Sequence, residues 1–272
     1  MQIAATTVGM IAAAAFSAAS MYAETVRGLG EAFELGASGL VRETEIAIEQ
    51  SGAEESPEGR LLSAVLLIQR QPRTQSNLNR ADAILERLSA ETVGTEIGVA
   101  AVYFRGRLRH VHAITPDMEA AMAFYRDAAR LGQGGFWGDM ALSLLTAVEI
   151  QDLSISREAF AGRFEELGKR TGQISDPQLR KNLHMSLVLS GMRYGASDEA
   201  LLPHLEAILE IGPVRRANES DTLIRTGQIL ESLGRFEDSL VPYQRFLERF
   251  PRDNRFNVIR ARVTEIKGGL SQ

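Results

Sequence analysis

The side chains that could do chemistry near neutral pH in this chain are four histidines, His110, His112, His184 and His204. Metal ligands on one helix must stand three or four residues apart to share a face, and His110 and His112 are two apart, so their rings diverge. His204 falls on a large core position of its segment, which predicts a half-buried packing histidine, and His184 has no adjacent motif. A glycine-rich run, LGQGGFWGD, contains Gly132, Gly134, Gly135 and Gly138 and resembles a phosphate loop in composition. It follows a helical segment rather than a strand and lacks the Lys-Ser or Lys-Thr pair that reaches the phosphates and the metal. It reads instead as a turn between helices, with Trp137, the sole tryptophan, as a packing anchor at its exit. No G-x-S-x-G, H-E-x-x-H or paired-carboxylate motif stands on a credible site, and Glu54 and Glu55 lie in a polar loop. The chain has no cysteine, which removes disulfides, thiolate catalysis and cysteine zinc sites. The expectation is a protein with no catalytic residues, no metal and no cofactor.

The elements that would hold these residues are helical. Ala, Leu, Glu and Arg abound while aromatics are 6% of the 272 residues, a balance that favours helices over strands. A formal charge of -5 argues against general nucleic-acid binding, which needs Lys and Arg to neutralise phosphates. Charge is unevenly spread, with nine Glu and three Arg from Glu24 to Arg60, and four Arg and one Lys against Asp253 and Glu265 from Pro251 onward. Residues 2–23 carry no charge and form a small, apolar run around Val8, Met10, Ile11 and Phe16. This is the pattern of an export signal without a basic n-region, with Ser17 and Ala19 as one cleavage signature. A membrane anchor and a buried N-terminal helix are the alternatives, and an anchor would give membrane association through this segment.

A pattern of small or apolar, three residues, large, two residues, apolar recurs along the chain. It falls at Ala81/Leu85/Leu88, Ala121/Tyr125/Ala128, Phe160/Phe164/Leu167, Ala200/His204/Ala207 and Ser239/Tyr243/Phe246. First members are 40, 39, 40 and 39 residues apart. Each is preceded by a second amphipathic stretch, at roughly 57–70, 95–112, 138–152, 177–194 and 219–233, so the repeated unit is a helix pair. Ser56-Pro57, Thr115-Pro116 and Asp176-Pro177 each place an N-cap before a proline at the first helical position. Gly132, Gly172, Gly195, Gly212 and Gly234 fall where helices should stop. Pro203 and Pro242 each follow the first member of their triplet by three residues, so they occupy the same place in successive units. The unit near Gly106 and Ala121 carries about three extra loop residues.

The last unit, SDTLIRTGQILESLGRFEDSLVPYQRFLERFP from Ser220 to Pro251, resembles a tetratricopeptide repeat. Leu223, Gly227, Leu230, Gly234, Phe236, Ser239, Tyr243, Phe246 and Pro251 occupy the signature positions. Gly227 and Ser239 are expected to let the two helices approach closely while the large residues fill the seam. The 39 to 40 spacing is longer than the family's 34 and leaves a HEAT-like solenoid open. The resemblance implies an all-α fold, a right-handed superhelical array of antiparallel helix pairs. After residues 1–23, residues 24–272 would form one repeat domain of about five pairs with a C-terminal capping helix.

An array of this kind implies binding rather than reaction, because stacked pairs create a concave surface lined by the first helix of each pair. In the family frame the groove candidates are Asp221, Ile224, Gln228 and Glu231 in the last unit and Tyr103, Arg107 and His110 in the unit containing Gly106. The ending YQRFLERFP also resembles repeats of bacterial envelope proteins of this family. The expected function is a non-catalytic scaffold binding a protein or peptide partner, periplasmic or secreted. A cytoplasmic adaptor and, less favoured, an enzyme built on a helical superhelix are the rivals.

Overall fold

The computed structural model of the chain describes residues 38–270 except 152–155 and 213–215, together with Leu29, Ala32, Leu35 and Gly36. The leader expected over residues 1–23 lies outside the described residues. Every regular element among the described residues is helical and none is a strand. In chain order these are α1 (Val41–Ser51), α2 (Pro57–Gln69), α3 (Gln75–Glu91) and α4 (Glu96–Arg107), which runs on into a π-helical turn (Leu108–His112). Then come α5 (Met118–Leu131), α6 (Phe136–Ile150), α7 (Arg157–Lys169), a 3-10 turn (Arg170–Gln173), α8 (Pro177–Tyr194), α9 (Asp198–Ile211), α10 (Arg216–Ser232), α11 (Phe236–Arg249) and α12 (Phe256–Leu270). Among these described residues no helix is long and apolar enough to cross a membrane.

Local chemistry sets most boundaries. Ser56 Oγ accepts the Gly59 N–H at 3.0 Å to open α2, Thr95 Oγ1 accepts the Gly98 N–H at 3.2 Å to open α4, and Asp176 Oδ1 accepts the Leu179 N–H at 2.8 Å to open α8. The start expected at Thr115-Pro116 is displaced, since α5 begins at Met118 under Asp117, whose Oδ1 accepts the Ala120 N–H at 3.0 Å. The reason is that the chain is still tied to the preceding turn there, with the Asp117 N–H donating to the Arg109 carbonyl at 3.0 Å. Pro203 and Pro242 do sit inside α9 and α11.

The chain divides into two compact units, residues up to Val148 with Gly172–Leu179, and Glu149–Thr171 with residues from Arg180 onward. In the first unit each helix from α1 to α4 packs on the next, and α2 also touches α4, so first helices of successive pairs lie side by side. In the second, α9 packs on α10, α10 on α11 and α11 on α12.

The close stacking in the first unit depends on a glycine at the third residue of each first helix. Gly59, Gly98 and Gly138 recur at intervals of 39 and 40 residues. A Cβ on them would lie 2.0, 2.2 and 1.9 Å from the backbone oxygens of Ala53, Thr92 and Gly132, so no side chain fits. The repeating triplets are buried as expected at Ala81/Leu85/Leu88, Ala121/Tyr125/Ala128, Phe160/Phe164/Leu167 and Ser239/Tyr243/Phe246. In α9 the buried stripe is instead Leu201/Leu205/Ile208, one residue later than Ala200/His204/Ala207. Turning that helix buries three large aliphatic side chains in place of two alanines and a polar ring.

Candidate functional site

The extra residues of the unit containing Gly106 become the π-helical turn Leu108–His112, closed by the Ala113 N–H donating to the Leu108 carbonyl at 2.7 Å. Single π-turns inside helices are frequent at functional sites because the inserted residue re-aims the side chains around it. Here the turn follows directly on Arg107 and carries His110 and His112. Gly106 lets α5 come in against α4, since a Cβ there would lie 2.6 Å from the Tyr125 ring. Tyr103 is fully buried, with ring centroids 5.2 Å from Phe104, 5.9 Å from Tyr125 and 5.4 Å from Trp137. The Tyr125 hydroxyl meets His110 Nδ1 at 3.2 Å, and the Tyr103 hydroxyl accepts from the Arg107 guanidinium.

Arg107 is the unusual member, at 8% exposure. Its neighbours two residues either side point to α3 and are answered there: Arg105 by Asp82 at 3.1 Å and Glu86 at 3.0 Å, and Arg109 by Asp82 at 2.6 Å. Arg107 points away from those carboxylates, is paired with none among the described residues, and its buried Nη1 has no hydrogen-bond partner. Trp137 Nε1 and His112 Nδ1 are likewise buried and unpartnered. Burial, then the Arg107 charge, pushes His110 below its ordinary range. Burial, then Arg107, Arg73 and His110, pushes His112 down to about 3, and burial raises both Tyr103 and Tyr125. At neutral pH the cluster is therefore one desolvated cation among neutral imidazoles, phenols and an indole, an environment that attracts anions. No group of three or more His, Asp or Glu suited to a metal ion occurs among the described residues.

Tyr103, Arg107 and His110 do come together, but Tyr103 and Arg107 are interior and His110 is half-buried. In the last unit Ile224 is buried in a cluster with Tyr243, Phe246, Ile259, Val263 and Ile266. Glu231 accepts from the Tyr243 hydroxyl at 2.5 Å and from Arg262, and Asp221 pairs with Arg255 at 2.5 Å. These partners place α12 against that face, leaving Gln228 exposed and Asp221 exposed but paired. Tyr103, Ile224 and Glu231 meet the second helix of their own pair, through Tyr125 for the first and Tyr243 for the other two, and α12 adds its cover in the last unit.

The sequence reading missed a different exposed stripe, on α8. Leu189 and Met192 are 51% and 42% exposed, Met185 is half-buried on the same side, and Arg225 Nη1 of α10 reaches Met192 Sδ at 2.8 Å. The signal was available: Met185, Leu189 and Met192 follow an i, i+4, i+7 pattern beside a buried stripe of Leu179, Leu183 and Leu187, so α8 is apolar on two sides.

The glycine-rich run is a turn, as expected, with Gly134 at φ +80°. Beyond that, Glu96 Oε2 accepts the Trp137 N–H at 3.4 Å, and a Cβ on Gly135 would lie 1.8 Å from Glu96 Oε1. The Trp137 amide in the first turn of α6, where a phosphate would have to bind, is thus taken by a carboxylate of the preceding pair.

In the second unit His184 and His204 face each other, Nδ1 to Nδ1 at 2.8 Å, so one ring donates the single proton between them and the other accepts. His204 is half-buried edge-on against Phe164 at 5.4 Å, as its sequence position suggested, although the core stripe of α9 runs beside it. Burial, then His204 and Arg180, pushes His184 down to about 4, and burial also lowers His204. Unfolded histidine titrates near about 6.5, so below that pH the unfolded chain takes up protons that the folded chain refuses. Stability is complete above about pH 6.5 and falls as the pH drops towards the folded value of about 4. Melting temperature should therefore decline steadily from pH 6.5 to 4 in the wild type and more gently in His204→Gln. A flat profile across that window would contradict the buried pair.

The fold and these clusters define an all-helical protein of sequentially packed helices whose candidate sites are grafted onto helix faces. No model of a known protein family matches the chain, and a search of curated proteins likewise found no match.

Proposed function

We propose that the protein is a non-catalytic scaffold that binds protein or peptide partners, built as a tetratricopeptide-like right-handed array of helix pairs. The observation that carries this reading is the α8 stripe of Leu189 and Met192, left exposed beside Arg225 of α10. Methionine and leucine side by side form an adaptable apolar surface suited to partner segments, and adjacent first helices are where helical arrays take extended ligands. Arg193 and Arg225 at its margin favour a segment with acidic residues flanking its apolar anchors.

The test is capture of partners from a cell-envelope extract by the wild type and by a Leu189→Glu, Met192→Glu double variant. Both positions are exposed, so the variant should melt like the wild type and lose at least tenfold in affinity, about 1.4 kcal/mol. An identical set captured at undiminished strength by a folded variant would remove the α8 face from the reading.

An envelope location is part of the proposal and rests on the uncharged apolar run of residues 2–23. Mass spectrometry of the mature protein from native cells tests it. A product beginning at Ser20 or Glu24 supports export, and one retaining Met1 or Gln2 refutes cleavage.

A further inference from the structure

We propose that Arg107 anchors a buried binding site for the carboxylate of a small organic monoanion, reached from the side of the π-turn. The inference is independent of the partner-binding reading and concerns a different unit of the chain.

An ionised guanidinium is stable in an interior only when its charge and its N–H groups are answered. Arg107 lacks that answer at Nη1, although acidic residues were available one helix away and went to Arg105 and Arg109. The arrangement around it is not a generic core. Tyr103 bonds the guanidinium through its hydroxyl and packs its ring against Trp137, whose Nε1 is unpartnered, while His112, with an unpartnered Nδ1, and His110, held by Tyr125, both feel the Arg107 charge. Trp137 and His112 can each supply a further N–H, the histidine in one of its two neutral tautomers.

The charge decides the ligand class. Arg107 contributes one unit of positive charge, the two imidazoles are neutral, and the next cation, Arg73, is exposed and donates to the Val111 carbonyl at 3.5 Å. A single carboxylate matches that charge and the guanidinium fork, whereas a dianionic phosphate would stay half uncompensated in a desolvated place. The aromatic cluster of Tyr103, Phe104, Tyr125 and Trp137 beside it suits a ligand with an apolar body. Entry is from the π-turn, where His110 and His112 are half-buried and the following Ile114 and Thr115 are exposed.

The sole tryptophan lies in the cluster, so its fluorescence reports occupancy directly. The full chain is titrated with sodium acetate at fixed ionic strength, with sodium chloride and sodium phosphate as parallel arms. The expected result is a saturable Trp137 signal with acetate, and a melting temperature raised by about 5 °C at a hundredfold excess over Kd. Chloride should do neither, and phosphate should need a higher concentration or fail. Arg107→Met removes an uncompensated buried charge, so it should fold, melt no lower than the wild type without acetate, and show no response to it. If that variant fails to fold, the histidine ring signals of the wild type decide: a carboxylate beside Arg107 should move the titrations of His110 and His112 upward. The proposal is overturned by an equal acetate response in folded Arg107→Met, by no saturable response in the wild type, by unmoved histidines, or by phosphate saturating at lower concentration than acetate.

Discussion

Gly138→Ala is expected to destabilise the first unit by about 3 kcal/mol or more, at the upper end of what overpacking costs. The added methyl would lie 1.9 Å from the Gly132 carbonyl oxygen and 2.3 Å from its carbonyl carbon, and backbone atoms cannot rotate away as a side chain can. Relief requires the turn between α5 and α6 to shift, which would also disturb the grip of Glu96 on the Trp137 N–H. Trp137 is the adjacent residue, so thermal or urea unfolding followed by its fluorescence reads the damage where it occurs. The matching control is Gly162→Ala on α7, where an added Cβ meets nothing within 4 Å. There the substitution should stabilise by about 0.5–1 kcal/mol, the ordinary helical penalty of glycine. Gly138→Ala melting with the wild type would sink the account of how the helix pairs of the first unit approach each other.

Tyr103→Ala should cost about 3–5 kcal/mol, the range for truncating a fully buried aromatic. It removes the ring shared by Phe104, Tyr125 and Trp137 and takes the hydroxyl from Arg107, leaving that guanidinium still less satisfied. Tyr103→Phe keeps the packing and deletes only the hydroxyl, so its loss should be nearer about 1 kcal/mol. Equilibrium unfolding of the two variants separates the contributions, and an alanine variant as stable as the phenylalanine one would mean the ring is not packed as described. A consequence follows for binding studies: a charge-reversing change at Arg107 combined with Tyr103→Ala, attractive if both lined an open groove, would be read through unfolding. Leu189 and Met192 are the positions at which a surface effect can be measured cleanly.

The helix pairs were legible because their signals are local. An apolar stripe of period 3.6, a serine or aspartate before a proline, and a glycine after the last turn each act within a few residues. The limits expected for the first helices, such as 57–70 and 177–194, agree with α2 (Pro57–Gln69) and α8 (Pro177–Tyr194) to a residue. The pattern at Gly59, Gly98 and Gly138 was also present in the sequence, but a glycine at a helix start has several possible causes. Only the approach of a carbonyl six residues earlier shows which one applies.

What the sequence determined by itself is that this chain folds as successive amphipathic helices at a 39 to 40 residue interval, with small residues such as Gly227 and Ser239 at the seam of the last pair. What the tertiary structure alone decided is which faces of those helices meet. That choice turned α9 by one residue, brought α12 over Asp221, Ile224 and Glu231, set His184 against His204, and left Arg107 without the carboxylates that its neighbours took. The physical reason is that a side chain's partner lies 20 to 40 residues away in sequence, and is fixed by competition among whole helix faces for burial rather than by any short motif.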